Sequence, residues 1–178
     1  MVTGHDAQGR SVFVADEVLE HGRARALAGW EFLGLWGADE TPIVPGNRVE
    51  PEGTAYFPAP GGFRLHFSTV PPEGVDPPAD LDPDEAAAEI ERLLPGLLEH
   101  MEADDPGMHT TDTVDLEVIL SGEVILELDD GAERLLRPGD TVVQNGTRHR
   151  WRNPGPQPCL MAIFMVGARR RDDAQRAP

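Results

Sequence analysis

Apolar and polar residues alternate most clearly between positions 107 and 167. The pattern predicts strands over 114–120, 123–128, 132–136, 141–144, 148–153 and 159–166. Asp130-Gly131 is a hairpin-turn signal, and Gly122 and Pro138-Gly139-Asp140 punctuate the other joins. Many short strands at regular spacing predict an all-β sandwich or barrel. Upstream, residues 1–70 read as short strands broken by Pro and Gly, with candidates at 11–14 and in the aromatic segment 30–36. The stretch 63–70 alternates plainly: Phe63, Leu65 and Phe67 share one face, Arg64, His66 and Ser68 the other.

Residues 71–106 differ in kind. Pro71, Pro72, Pro77, Pro78 and Pro83 make the first part an extended linker. A helix then starts with Asp82 as cap, Pro83 in the first position and Glu85 three after the cap. Ile90, Leu93, Leu94, Leu97, Leu98 and Met101 form its apolar stripe, which Pro95-Gly96 interrupts. Two short helices sharing one face are predicted, packed on the barrel or acting as a lid over its mouth. The chain thus divides into 1–106, strands with linker and helical insertion; 107–167, the barrel core; and 168–178, a flexible tail.

Composition narrows the function classes. The 178 residues suit one decorated domain. No run of 18 apolar residues occurs, so no membrane span is expected, and the polar start lacks a secretory h-region. With Cys159 as the only cysteine, a reducing cytoplasm is the expected compartment and a buried strand position its expected place. The net charge of −17 argues against nucleic-acid binding. All 15 basic residues are arginine, so a side-chain Schiff base is excluded. P-loop, dinucleotide, Ser-His-Asp and zinc-finger patterns are absent.

Candidate chemistry follows from strand parity. His109 and Thr111 share a face with Asp115, Glu117 and Ile119, while Val114, Leu116, Val118 and Leu120 form the other. Carboxylates turned to a core are expensive unless paired or bound to a cation. In 148–153, Arg148, Arg150 and Arg152 cannot line a closed interior, so they point outward and turn His149 and Trp151 inward. His149 then faces the same inner surface as Asp115, provided the two strands are neighbours. For 63–70 a solvated edge strand is expected; if its polar face lined a pocket, Arg64 would suit a substrate carboxylate. His5, His21 and His100 read as surface residues.

The stretch 108–153 resembles the two motifs of the cupin superfamily. The first, G-x5-H-x-H-x3-4-E-x6-G, counted back from Gly122, puts Asp115 at the glutamate, His109 at the first histidine and Thr111 at the second. The second, G-x5-P-x-G-x2-H-x3-N, matches Gly139, Gly146, His149 and Asn153, with Gln144 replacing proline and one residue fewer after Gly139. The resemblance implies a double-stranded β-helix, or jelly-roll, barrel. It also implies one divalent metal ion on His109, Asp115 and His149, a facial triad that suits iron, with zinc, manganese, nickel or cobalt as alternatives. Glu117, on the same face, is then an alternative ligand or a general acid or base, Trp151 a pocket wall and Gln144 a polar contact. The implied function is a metal-dependent enzyme acting on a small molecule with chelating oxygens, oxygenase-type first. Decarboxylase, isomerase or lyase chemistry, or ligand binding without catalysis, are the alternatives. A homodimer is expected, because the Val114–Leu116–Val118–Leu120 face needs cover. The N-terminal strands or the 84–101 helices would serve as well.

Overall fold

The computed structural model describes residues 1–171 apart from Asn47, Glu52 and Thr54. Its strands are β1 (Val2–His5), β2 (Ser11–Ala15), β3 (Glu31–Ala38), β4 (Phe63–Val70), β5 (Thr113–Ser121), β6 (Val124–Glu127), β7 (Glu133–Leu136), β8 (Thr141–Asn145), β9 (Arg150–Arg152) and β10 (Cys159–Gly167). A five-stranded sheet runs β3-β4-β10-β5-β8, and a three-stranded sheet runs β7-β6-β9. β1 and β2 form a separate hairpin. Every pairing is antiparallel. The expected all-β architecture is therefore present. Its core is Val70, Ile119, Val124, Cys159 and Met161, with Trp30, Leu136, Trp151 and Ile163 packed against it. These residues come from both sheets, so the core lies between them.

The single α-helix among the described residues, α1 (Pro83–Leu93), starts where the sequence says. The Asp82 carboxylate accepts from the Asp84 and Glu85 amides at 3.0 and 3.1 Å. Ile90 and Leu94 carry the buried part of its stripe. The predicted second helix is only a 3-10 turn, Leu97–His100, because Gly96 takes a left-handed φ of 81° that ends helical continuation.

Three other expectations are corrected. β4 is not a solvated edge: it is paired on both sides, by β3 and β10. Its polar residues Arg64, His66 and Ser68 are buried, while Phe63, Leu65 and Phe67 are half-buried on the outside. Neither the N-terminal hairpin nor α1 covers the apolar face of β5, since Val114, Leu116 and Leu120 remain 40–45% exposed. The tail is not free throughout. Arg170 pairs with Asp112 and donates to the Thr111 carbonyl at 2.9 Å, and positions 172–178 lie outside the described residues.

The outward arginines of β9 and the turn before it are all paired. Arg148 grips Glu102 through two nitrogens, both at 2.7 Å, and also reaches Asp105 and Asp129. Arg150 bonds Glu127 and Asp105; Arg152 bonds Glu127, Glu73 and Glu133. The acidic segment 73–105 is thereby fastened to the barrel. This fixes one wall of the cavity described next. Among the described residues no helix is long and apolar enough to cross a membrane.

Candidate functional site

A cavity of about 150 Å³ opens between the two sheets. Its wall includes His109, Asp115, Glu117, His149 and Trp151, five of the six residues singled out from sequence. The sixth, Gln144, is buried but is not part of that wall. It is paired in register with Asp115, and its Oε1 accepts from the Thr147 hydroxyl at 2.6 Å.

The two histidines meet across an isolated antiparallel bridge. The backbone amides of His109 and His149 donate to each other's carbonyls at 3.0 Å, which brings the rings to a centroid separation of 4.2 Å. His109 Nδ1 lies 3.1 Å from the Gly107 carbonyl and His149 Nδ1 2.9 Å from that of Thr147. A carbonyl only accepts, so both Nδ1 atoms carry the proton and both Nε2 atoms present a lone pair. Burial lowers the proton affinity of both rings; for His149 the neighbouring His109 adds to it, and its value falls to about 4. Both imidazoles are therefore neutral near pH 7. Trp151 stands edge-on to His149 at 5.9 Å.

The carboxylates come from the other sheet. Asp115 and Glu117 are 4% and 2% exposed on the inner face of β5. Asp115 Oδ1 and Glu117 Oε2 have no hydrogen-bond partner. Burial raises both: Asp115 to about 6, against a lowering bond from Thr113, and Glu117 to about 8, with the Asp115 charge adding to it. At neutral pH Glu117 is thus mostly a protonated donor and Asp115 mostly an anionic acceptor. Thr111, at the motif's second histidine position, is bonded to the Thr113 hydroxyl at 2.7 Å.

The donor types suit a divalent ion: two oriented Nε2 atoms and two unpartnered carboxyl oxygens. Among the described residues no three His, Cys, Asp or Glu side chains come together as a metal-holding group. The imidazoles stand together where the 97–109 segment meets the turn before β9, whereas the carboxylates project from β5 in the opposite sheet.

Sequence reasoning missed the far side of the cavity. His66 and Ser68 of β4 line it, as do Tyr56, Trp30 and Phe32. The Tyr56 hydroxyl lies 2.9 Å from His66 Nε2. Burial depresses His66 to about 4 and raises the Tyr56 phenol. The alternation of 63–70 placed His66 and Ser68 on one face but left open whether that face was inside. Arg64, on the same face, is unavailable to a substrate. Its guanidinium is spent on Asp39 and on the carbonyls of Ala38, Ala55 and Phe63. His100 is not a free surface residue either; it packs edge-on to Phe57 at 4.7 Å, and its Nδ1 bonds the Thr110 carbonyl.

Comparison with known proteins identifies the family. The model of the cupin domain family matches residues 98–166. The chain is 30% identical over 166 residues to the cupin-domain-containing oxidoreductase srdB of Neurospora crassa, covering 93% of this chain and 70% of that one. It is 28% identical over 152 residues to the cupin-domain-containing oxidoreductase fogC of Aspergillus ruber, covering 85% and 62%. With the oryzines biosynthesis cluster protein J of Aspergillus oryzae it shares 33% over 110 residues, covering 62% and 58%. The chain spans about three fifths of the length of these last two relatives.

Proposed function

This chain belongs to the cupin superfamily, and from that premise we propose that it is an enzyme acting on a small organic molecule by proton transfer in the β-barrel cavity. One observation carries the reading: two buried carboxyl groups with unpartnered oxygens face a cavity whose other wall presents two lone-pair-bearing imidazoles. The relatives named as oxidoreductases support an enzymatic role.

The chemistry follows from the split between the two carboxyl groups. Neutral Glu117 donates a hydrogen bond to an oxygen of the bound molecule and polarises it. Anionic Asp115, two residues away on the same face, accepts a proton from the adjacent carbon or hydroxyl. The Nε2 atoms of His109 and His149 offer second acceptors. Trp151 and the apolar wall exclude water, which keeps both carboxyl groups in their shifted states.

The test is turnover of a panel of small aldehydes, ketones and phenols, followed by mass spectrometry in native protein and in Glu117→Gln. Turnover in the native protein, lost in a variant that still binds, supports the reading. Binding without turnover in both overturns the enzymatic part and leaves a ligand-binding cupin.

A metal-dependent, oxygenase-type enzyme is the second reading. It is favoured by the spent Nδ1 atoms of His109 and His149, an orientation that metal-ligating histidines share. A divalent ion there would supply Lewis-acid polarisation and, as iron, redox chemistry. About one equivalent of metal in native protein, absent from a His109→Ala/His149→Ala variant, would establish it. No metal in either after reconstitution would remove it.

A further inference from the structure

The cavity has two polar ends, and the reaction proposed above uses only one. On the inner face of β4, His66 and Ser68 are 4% and 3% exposed and line the cavity. The Ser68 hydroxyl makes no well-formed hydrogen bond and neighbours the Tyr56 hydroxyl. The His66 ring is already bonded to Tyr56, so this end presents two hydroxyls around a neutral imidazole. The sheet register sets the separation. His66 pairs with Ile163 of β10, and Ile163 pairs with Glu117 of β5. The two ends therefore lie two strand spacings apart, about 10 Å between backbones, before the side chains reach inward.

Between them runs an apolar strip of Met161, Ile163 and Met165, and aromatic rings close the sides. A buried polar group left unpaired costs about 1–3 kcal/mol, so Ser68 Oγ and the Glu117 carboxyl both favour an occupant that satisfies them. The volume is about 150 Å³, the size of cavity that accepts one benzene molecule.

We infer that the ligand has a ring-sized apolar body with an oxygen-bearing group at each end, one on Asp115 and Glu117, the other on Ser68 and the Tyr56–His66 pair. The second group is uncharged, a hydroxyl or carbonyl, because the one cation on that face, Arg64, is spent on Asp39 and three carbonyls. The inference rests on the cavity being the site proposed above.

The test uses the full chain and three probes of known geometry: phenol, 2-hydroxybenzyl alcohol and 4-hydroxybenzyl alcohol. Binding is read by tryptophan fluorescence, since Trp30 and Trp151 line the cavity. One added buried hydrogen bond corresponds to about a tenfold gain, so the 4-isomer should bind about ten times tighter than the other two. In Tyr56→Phe and Ser68→Ala that advantage should shrink several-fold while phenol binds as before. Unchanged phenol binding also shows that the variants fold. Equal binding of the two isomers, or an equal loss for phenol in the variants, overturns the two-ended ligand and leaves the cavity as the site. Failure of all three probes to bind overturns both the two-ended ligand and the cavity reading.

Discussion

Glu117→Gln isolates the cost of a buried carboxyl. In the folded chain Glu117 titrates at about 8, raised from 4.5 by burial and by the Asp115 charge. A raised carboxyl pKa means that the folded state disfavours the anion. Stability is then fully present below the unfolded value and falls as pH rises towards the folded one. The full span is a shift of about 3.5 pH units, or about 5 kcal/mol at 1.36 kcal/mol per unit. Integrated between the two states, the loss is about 2 kcal/mol at pH 6 and about 3 kcal/mol at pH 7. Gln keeps the shape and removes the titration, so the variant should equal the native protein near pH 4.5 and exceed it increasingly up to pH 8. Urea denaturation of chelator-treated protein at pH 4.5, 6, 7 and 8.5 measures this, and comparing variant with native cancels the titration of every other group. Parallel curves, with a gap that does not widen with pH, would refute the claim that Glu117 lacks a charged partner in the fold. A gap of the opposite sign would mean that a cation stabilises the carboxylate.

Three further outcomes are expected. We propose a homodimer through the outer face of the five-stranded sheet, where Val114, Leu116, Val143, Phe164 and Val166 are 38–58% exposed. Light scattering should give twice the 19.4 kDa chain mass and Leu116→Arg should halve it; a native monomer sinks the idea. Arg148→Ala removes the ties to Glu102 and Asp105, so amide exchange across 97–109 should speed up while the β5 and β10 amides stay protected. Uniform exchange in both proteins would show that these ion pairs do not hold the cavity wall. Cys159 has no exposed surface and burial pushes its thiol up to about 11, so Ellman's reagent should react only after denaturation. Rapid reaction of native protein at pH 8 would contradict its place in the core.

By itself the sequence determined the strands after position 107, the cap at Asp82 and the inward parity of Asp115, Glu117, His149 and Trp151. These are local matters. Turn residues mark strand ends, a capping carboxylate reaches its own helix, and three outward arginines leave His149 only one face to occupy. Alternation of period two also separates His66 and Ser68 from Phe63, Leu65 and Phe67, but it carries no sign: either set can face inward. Only the tertiary structure decided that, by inserting β4 between β3 and β10 so that its polar face closes the cavity and its aromatic face lies outside. The same limit applies to the metal-like donors. Motif spacing selects His109, Asp115 and His149, yet convergence depends on distances between sheets. The imidazoles are joined by a backbone bridge on one side and the carboxylates are fixed on β5 on the other. Spacing along a chain specifies which side chains share a face. The packing of one sheet against another specifies which of them can meet.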